Sequence, residues 1–396
     1  MFKTPFLLAA FCLLLAAPSL ARGSFVYVTN YGDGTVSQFR ANSGGTLTPL
    51  NPPSVKAYAR CHSLAADPKG RFLYVLSALE FSRRDCLLSQ YRIGPNGTLT
   101  PLSPATVPVP YKGQAGGPFV VSVDPSGRFV YVPGRDGLLA QFHINADGTL
   151  APLSPPFVGA GGGTLGVSTA FDRLHSTLYV SSRAHMAAAN VGGVAGFAIN
   201  PDGTLHLLPQ SVLSMEGLTP ESIFVSHGGK YAYILYNAYY GGGGKAFGGK
   251  ETSRILVSQF RTQSSGKLDA LKPPQVSLPG QADCVVVDPH SRFCYLIMPL
   301  YRWIEGDLDQ RIVGSLRLYR CPIRPDGALG KPAHQTLPVR FDVSTATFDP
   351  SGNFLYLLTG NGVRPFRVKL DGSVVPLSSR SIHAGRGPLG MVYVQR

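Results

Sequence analysis

"FVYVTNYGDGTVSQF", residues 25–39, reads as a strand, a tight glycine turn and a second strand. Aromatic and β-branched residues fill both arms, and the Gly-Asp-Gly between them supplies the conformations a sharp reversal needs. In "GPFVVSVDPSGRFVYVPGRDGLLAQF", residues 117–142, the same pair follows a further strand that ends at "DPSG". The first copy therefore starts one strand short.

The pair recurs with a period near fifty residues, the signature of a repeat architecture. Seven segments read as the "SQF" strand: 35–39, 87–91, 138–142, 193–197, 256–260, 315–319 and 362–366. Seven turns of the type "PNGTL" or "ADGTL" follow them, beginning at residues 43, 95, 146, 201, 264, 325 and 370. Asn-Gly and Asp-Gly provide the positive φ of a tight hairpin. Each "SQF" strand is also preceded by an aromatic-rich one such as "FLYV" (72–75) or "YAYIL" (231–235).

Four antiparallel strands per unit, repeated seven times, predict an all-β, seven-bladed β-propeller. The last segment, "GPLGMVYV" (387–394), matches "GPFVVSV" (117–123) and has no further strands after it. It is expected to complete the first blade, closing the ring so that no sheet edge stays open.

Residues 1–21 stand outside the repeats. Lys3, the apolar run 6–17 and the small residues at 19–21 read as an export signal, too short to span a bilayer. A propeller domain over 22–396, periplasmic or secreted, is expected. With 46 Gly, 33 Pro, 15% charged and 44% hydrophobic residues, the composition is that of a turn-rich globular chain rather than a disordered one. The net charge of +14 comes from Arg and Lys scattered singly through turns. No basic run or aromatic-basic stripe suited to nucleic acid occurs.

The stretch "YVTNYGDGTVSQF" and the recurring "DPSGRFVYV…GLLAQFHINADGTL" resemble the lactonase family of seven-bladed propellers, which includes 6-phosphogluconolactonase and carboxy-muconate cyclase relatives, and the wider YVTN-repeat proteins. The likeness runs over essentially the whole chain after the leader. It implies hydrolysis of a sugar-acid lactone or similar cyclic ester. A monomer acting on a small, anionic molecule without a cofactor is expected. Phosphogluconolactonase-like members carry a Gly-Pro-x-His start to an inner strand. In the register of "ARCHSLAADP" that His falls at Ser63, one residue from His62.

Chemistry is expected on one face of the disc. The loops between the second and third strands and the starts of the inner strands share that face, and those loops lengthen at 77–85, 181–191, 236–254 and 298–313. Long loops on a rigid scaffold are where binding concentrates. Counting five residues back from each inner-strand turn residue gives His62, Phe119, Val167, Glu221, Asp283 and Ser344, with Leu389 on the closing strand. His62, Glu221 and Asp283 are thus the candidate catalytic residues, a general base with carboxylate neighbours. Arg60, Glu80, Arg183, His185 and Arg302 are the candidate substrate-binding residues. Two carboxylates are too few for a calcium cage, so no metal is expected.

Other signals carry less. "GGGGKAFGGKETS" (241–253) lacks the Lys-Ser/Thr pair of a phosphate loop, and "GVSTA" (166–170) lacks the second glycine of a nucleophile elbow. Five cysteines follow the leader; Cys61 and Cys86, both at the loop face of one blade, are expected to form a disulfide. A second functional reading is a non-catalytic module holding a protein or envelope glycan on the loop face, with Tyr239, Tyr240, Tyr301 and Trp303 as its aromatic surface.

Overall fold

A computed structural model describes residues 23–78, 86–109, 120–134, 137–159, 164–184, 191–216, 220–238, 254–304 and 307–396. These residues form seven four-stranded antiparallel sheets, the seven blades. Blade two shows the plan: Cys61–Ala66, Phe72–Ala78, Cys86–Ile93 and Leu99–Val109, in sequence order from the inner edge outward. The inner strands of blades three to seven are Ser122–Val123, Thr164–Asp172, Pro220–Val225, Cys284–Val287 and Val343–Phe348.

Blade one is closed as the repeat count predicts. Its inner strand is Pro388–Gln395, paired antiparallel with Ser24–Asn30 so that Val26 faces Tyr393 and Val28 faces Met391. The C-terminal strand is thereby bonded to the start of the domain.

Buried side chains gather into seven clusters, one between each pair of neighbouring blades. Both sides of a blade are covered, which is why "FLYVL" (72–76) is apolar without alternation and no more than 1% exposed at any position. The repeated words of the sequence are ties between blades. Tyr74 Oη donates to the Gly148 carbonyl of the next blade at 2.8 Å. Gln90 Nε2 donates to Pro104 O at 2.9 Å while its Oε1 accepts from Leu150 N of the next blade at 2.6 Å. Tyr27, Tyr131, Tyr179, Tyr233 and Tyr295 repeat the first contact.

The positive charge has a partly structural origin. Arg40 lies over Phe25, Arg92 over Phe72 and Arg128 over Phe129, with guanidinium-to-ring distances of 5.4, 5.2 and 4.9 Å. The turn aspartates used for counting are structural too. Asp124 is 4% exposed and its Oδ1 accepts from the backbone of Arg128 and Phe129 at 2.8 and 2.7 Å.

Two expectations are corrected. Cys61 faces Ser77 on the second strand of blade two, whereas Cys86 on the third strand faces Ala78, so a whole strand lies between the thiols. Two strand spacings are about 9.5 Å, beyond the reach of a disulfide. None of the five described cysteines is in a disulfide, and all five lie in the buried interior. The segment 298–313 is not an irregular loop either. Phe293–Ile304 and Asp307–Pro322 continue past the blade as a two-stranded ribbon, with Trp303 opposite Arg311, so that its backbone groups are met by pairing.

Candidate active site at the channel mouth

The inner strands share one irregularity, and it falls on the residues singled out by counting. Cys61 faces Ser77 and Ser63 faces Leu76, so His62 is the extra residue of a β-bulge. The register skips in the same way over Val167, Glu221, Ser344 and Leu389. Asp283 completes the set: its N–H donates to Ile297 O at 3.0 Å although Cys284 is the residue paired with Ile297. Phe119 lies outside the described residues. A bulge breaks the alternation of a strand and re-aims the side chain it carries. Six blades therefore present one bulged residue each where the inner strand begins, on the long-loop face.

His62, Glu221 and Asp283 share that face and that position but belong to blades two, five and six. His62 and Glu221 are half-buried and Asp283 is exposed. Hydroxyls tie the inner strands that carry this ring: Ser63 Oγ accepts from Val121 N at 3.3 Å, Ser122 bonds Thr169, and Ser168 Oγ lies 3.1 Å from Ser222 Oγ. Ser63, where the family register places its His, is thus engaged in holding blade three. His62 is the ionisable group of that bulge.

The surroundings of His62 are the most developed. Its ring meets the Tyr31 ring edge-on, centroids 5.1 Å apart at 75°. Arg60 Nη1 donates to Tyr31 Oη at 3.1 Å, and the guanidinium carbon stands 5.6 Å from the same ring. Arg60 has φ of 52°, a left-handed conformation that costs a non-glycine residue about 1–2 kcal/mol. Such strain persists only where neighbours fix it, and it clusters at functional sites. Burial, followed by the Arg60 charge, lowers the His62 pKa below 6.5, so the imidazole is neutral and basic at neutral pH.

Tyr31 was not among the residues picked from the sequence. It sits in the short turn of blade one, while attention goes naturally to the long loops. That turn is fastened to the closing segment: Tyr31 N donates to Gly387 O at 2.8 Å, and Asp33 Oδ2 accepts from Arg386 N at 2.8 Å. With its oxygen accepting from Arg60, Tyr31 keeps its O–H to donate.

The other substrate-binding candidates are placed less fully. Arg183 and Arg302 lie on strands, opposite Leu165 and Ile312, at the loop-face ends of blades four and six. Glu80 and His185 fall outside the described residues, as do Tyr239 and Tyr240. Among the described residues no group of three or more His, Cys, Asp or Glu gathers closely enough to hold a metal ion. A cavity of about 20 Å³ between blades three and four, lined by Pro133, Gly166, Val180 and Ser182, has room for a water and not for a sugar acid. No helix among the described residues is long and apolar enough to cross a membrane.

Comparison with known proteins bears out the resemblance read from the repeats. Residues 25–165 match the family described as lactonase, seven-bladed β-propeller. No curated protein sequence matches the chain. Among solved structures, a 6-phosphogluconolactonase homologue from Bacteroides uniformis superposes with a TM-score of 0.68 at 19% identity, over 94% of this chain and 99% of that one. A periplasmic gluconolactonase from Pseudomonas aeruginosa gives 0.68 at 16% identity with the same coverage. A related protein from Bacteroides fragilis gives 0.66 at 16%, over 96% and 99%. At these identities the structural likeness establishes the fold.

Proposed function

We propose that this lactonase-like propeller hydrolyses a small cyclic ester, a sugar-acid lactone by chemical class, at the bulged ring of its long-loop face. The observation that carries the reading is the grouping of His62, Arg60 and Tyr31, in which a desolvated neutral imidazole lies beside a cationic and a hydroxyl donor. His62 takes a proton from water as it attacks the ester carbonyl. Tyr31 O–H and the Arg60 guanidinium stabilise the oxyanion that forms. The ring oxygen then leaves and is protonated, giving the hydroxy acid. Glu221 and Asp283 on the far blades orient the polyol by accepting from its hydroxyls, and Arg183 and Arg302 attract an anionic substituent.

The proposal extends to location. Residues 1–21 direct export and are removed before Arg22, supported by Lys3 and the apolar run that follows. Amino-terminal sequencing of the periplasmic or secreted protein tests this. The activity is tested with a panel of aldonolactones and simple lactones, scored by acid release over the spontaneous rate. Turnover by the wild type that His62→Ala abolishes supports the reading. A wild type inactive on every lactone discards it.

A further inference from the structure

We propose that Arg364, at the loop-face end of the junction between blades six and seven, binds a small organic carboxylate. Arg364 lies on the third strand of blade seven, Gly362–Val368, opposite Leu357. Two residues on, Phe366 packs with Leu357 against Leu316, Leu337, Val339 and Val343 around blade six, so strand alternation sends Arg364 toward the same apolar wall. The side chain is only 8% exposed, and its Nε is buried with no hydrogen-bond partner among the described residues. No hydrogen bond or ion pair from the described residues reaches its Nη atoms either, and these, unlike Nε, are not fully buried. A charge so nearly stripped of water without an acceptor is costly.

The position is marked in the sequence. Ser37, Ser89 and Ser258 stand at the equivalent place in the "SQF" strands of blades one, two and five, and there their hydroxyls accept hydrogen bonds, as when Ser89 Oγ accepts from Tyr58 N at 3.3 Å. Blades six and seven replace the serine with Arg317 and Arg364. Arg317 shows the same buried Nε, unmet among the described residues, at the preceding blade junction. Arg364 is the third residue of its strand, counted from the loop-face end.

The chemistry selects the ligand class. One planar fork in an apolar wall matches a carboxylate, which it binds through two parallel hydrogen bonds. A phosphate dianion asks for more donors than one guanidinium offers. The site is separate from the bulged ring, so the inference stands whether or not the lactonase reading does.

Thermal unfolding with succinate, inorganic phosphate or sodium chloride at matched ionic strength tests it, because a ligand bound only by the folded chain raises the melting temperature. Succinate is expected to raise the wild-type midpoint more than either other salt. Arg364→Met should weaken succinate binding at least tenfold by calorimetry and should melt at or above the wild type in anion-poor buffer, since it removes an unmet buried charge. Arg340→Met, on the exposed neighbouring segment, should keep the wild-type response. Arg364→Lys retains the charge and the stem without the fork, and should lose most of the affinity even if the Met variant fails to fold. A succinate response that survives in both Arg364 variants overturns the proposal. So does a larger Arg364-dependent response to phosphate than to succinate, or a folded Met variant that melts below the wild type in anion-poor buffer.

Discussion

His62 gains its chemical meaning from what surrounds it. Its lowered pKa has two causes, burial first and the Arg60 charge second. The neutral form therefore persists below pH 6.5, and the acid limb of kcat/KM on a responsive lactone is expected below that value, with a plateau through neutral pH. Arg60→Gln removes the second cause and should move the limb upward toward 6.5, a displacement that a purely binding role for Arg60 would not produce. His62→Ala should lower turnover by roughly 10²-fold, the usual scale for a lost general base, with the unfolding midpoint little changed. Tyr31→Phe keeps the ring contact and deletes the hydroxyl. It should lower kcat with less effect on KM if Tyr31 meets the oxyanion.

At the scale of the strand, the repeated residues divide between ties and bulges. Gln90 is buried and engages both its own blade and the next, so Gln90→Ala leaves Pro104 O and Leu150 N unmet in the interior. Denaturant unfolding should register a loss of about 2–4 kcal/mol, the sum expected for two stranded backbone groups. Gly97 has φ of 90°, and a Cβ there would stand 2.2 Å from the Phe25 ring, so Gly97→Ala should be worse tolerated than any change at a loop tip. The intervening strand between Cys61 and Cys86 predicts that no bridge joins them. Peptide mapping of the unfolded, unreduced protein should find both thiols alkylated.

At the scale of the molecule, stability depends on closing the ring. Pro388–Gln395 is at once the inner strand of blade one and a neighbour of the inner strand of blade two, where Gly390 stands so near the His62 carbonyl that a Cβ would lie 3.2 Å from it. Deleting residues 387–396 should cost far more than trimming a tail, and should also disturb Tyr31, whose turn is bonded to Gly387. A truncated protein with the wild-type melting temperature would show that the clasp contributes nothing. Loss of stability together with loss of any lactone turnover is the expected pair.

The amino-acid sequence by itself determined the number of blades, the strand that closes them and the side of the disc carrying long loops. Apolar strand words and Asn-Gly or Asp-Gly turns act over a few residues, and their period survives translation into structure. Counting from the turn residues, five aspartates and Ser226, also reached the bulged ring, because each is buried in the same turn at a fixed distance from the bulge. Only the tertiary structure decided which groups meet at those positions. Arg60 and Tyr31 are 29 residues apart in the chain and on different blades, and they meet because the ring sets blade one against blade two. Cys61 and Cys86 look adjacent at the loop face until the strand between them is placed. The isolation of Arg364 is likewise a property of two blades together, since burial and the want of an acceptor depend on what the neighbouring sheet presents.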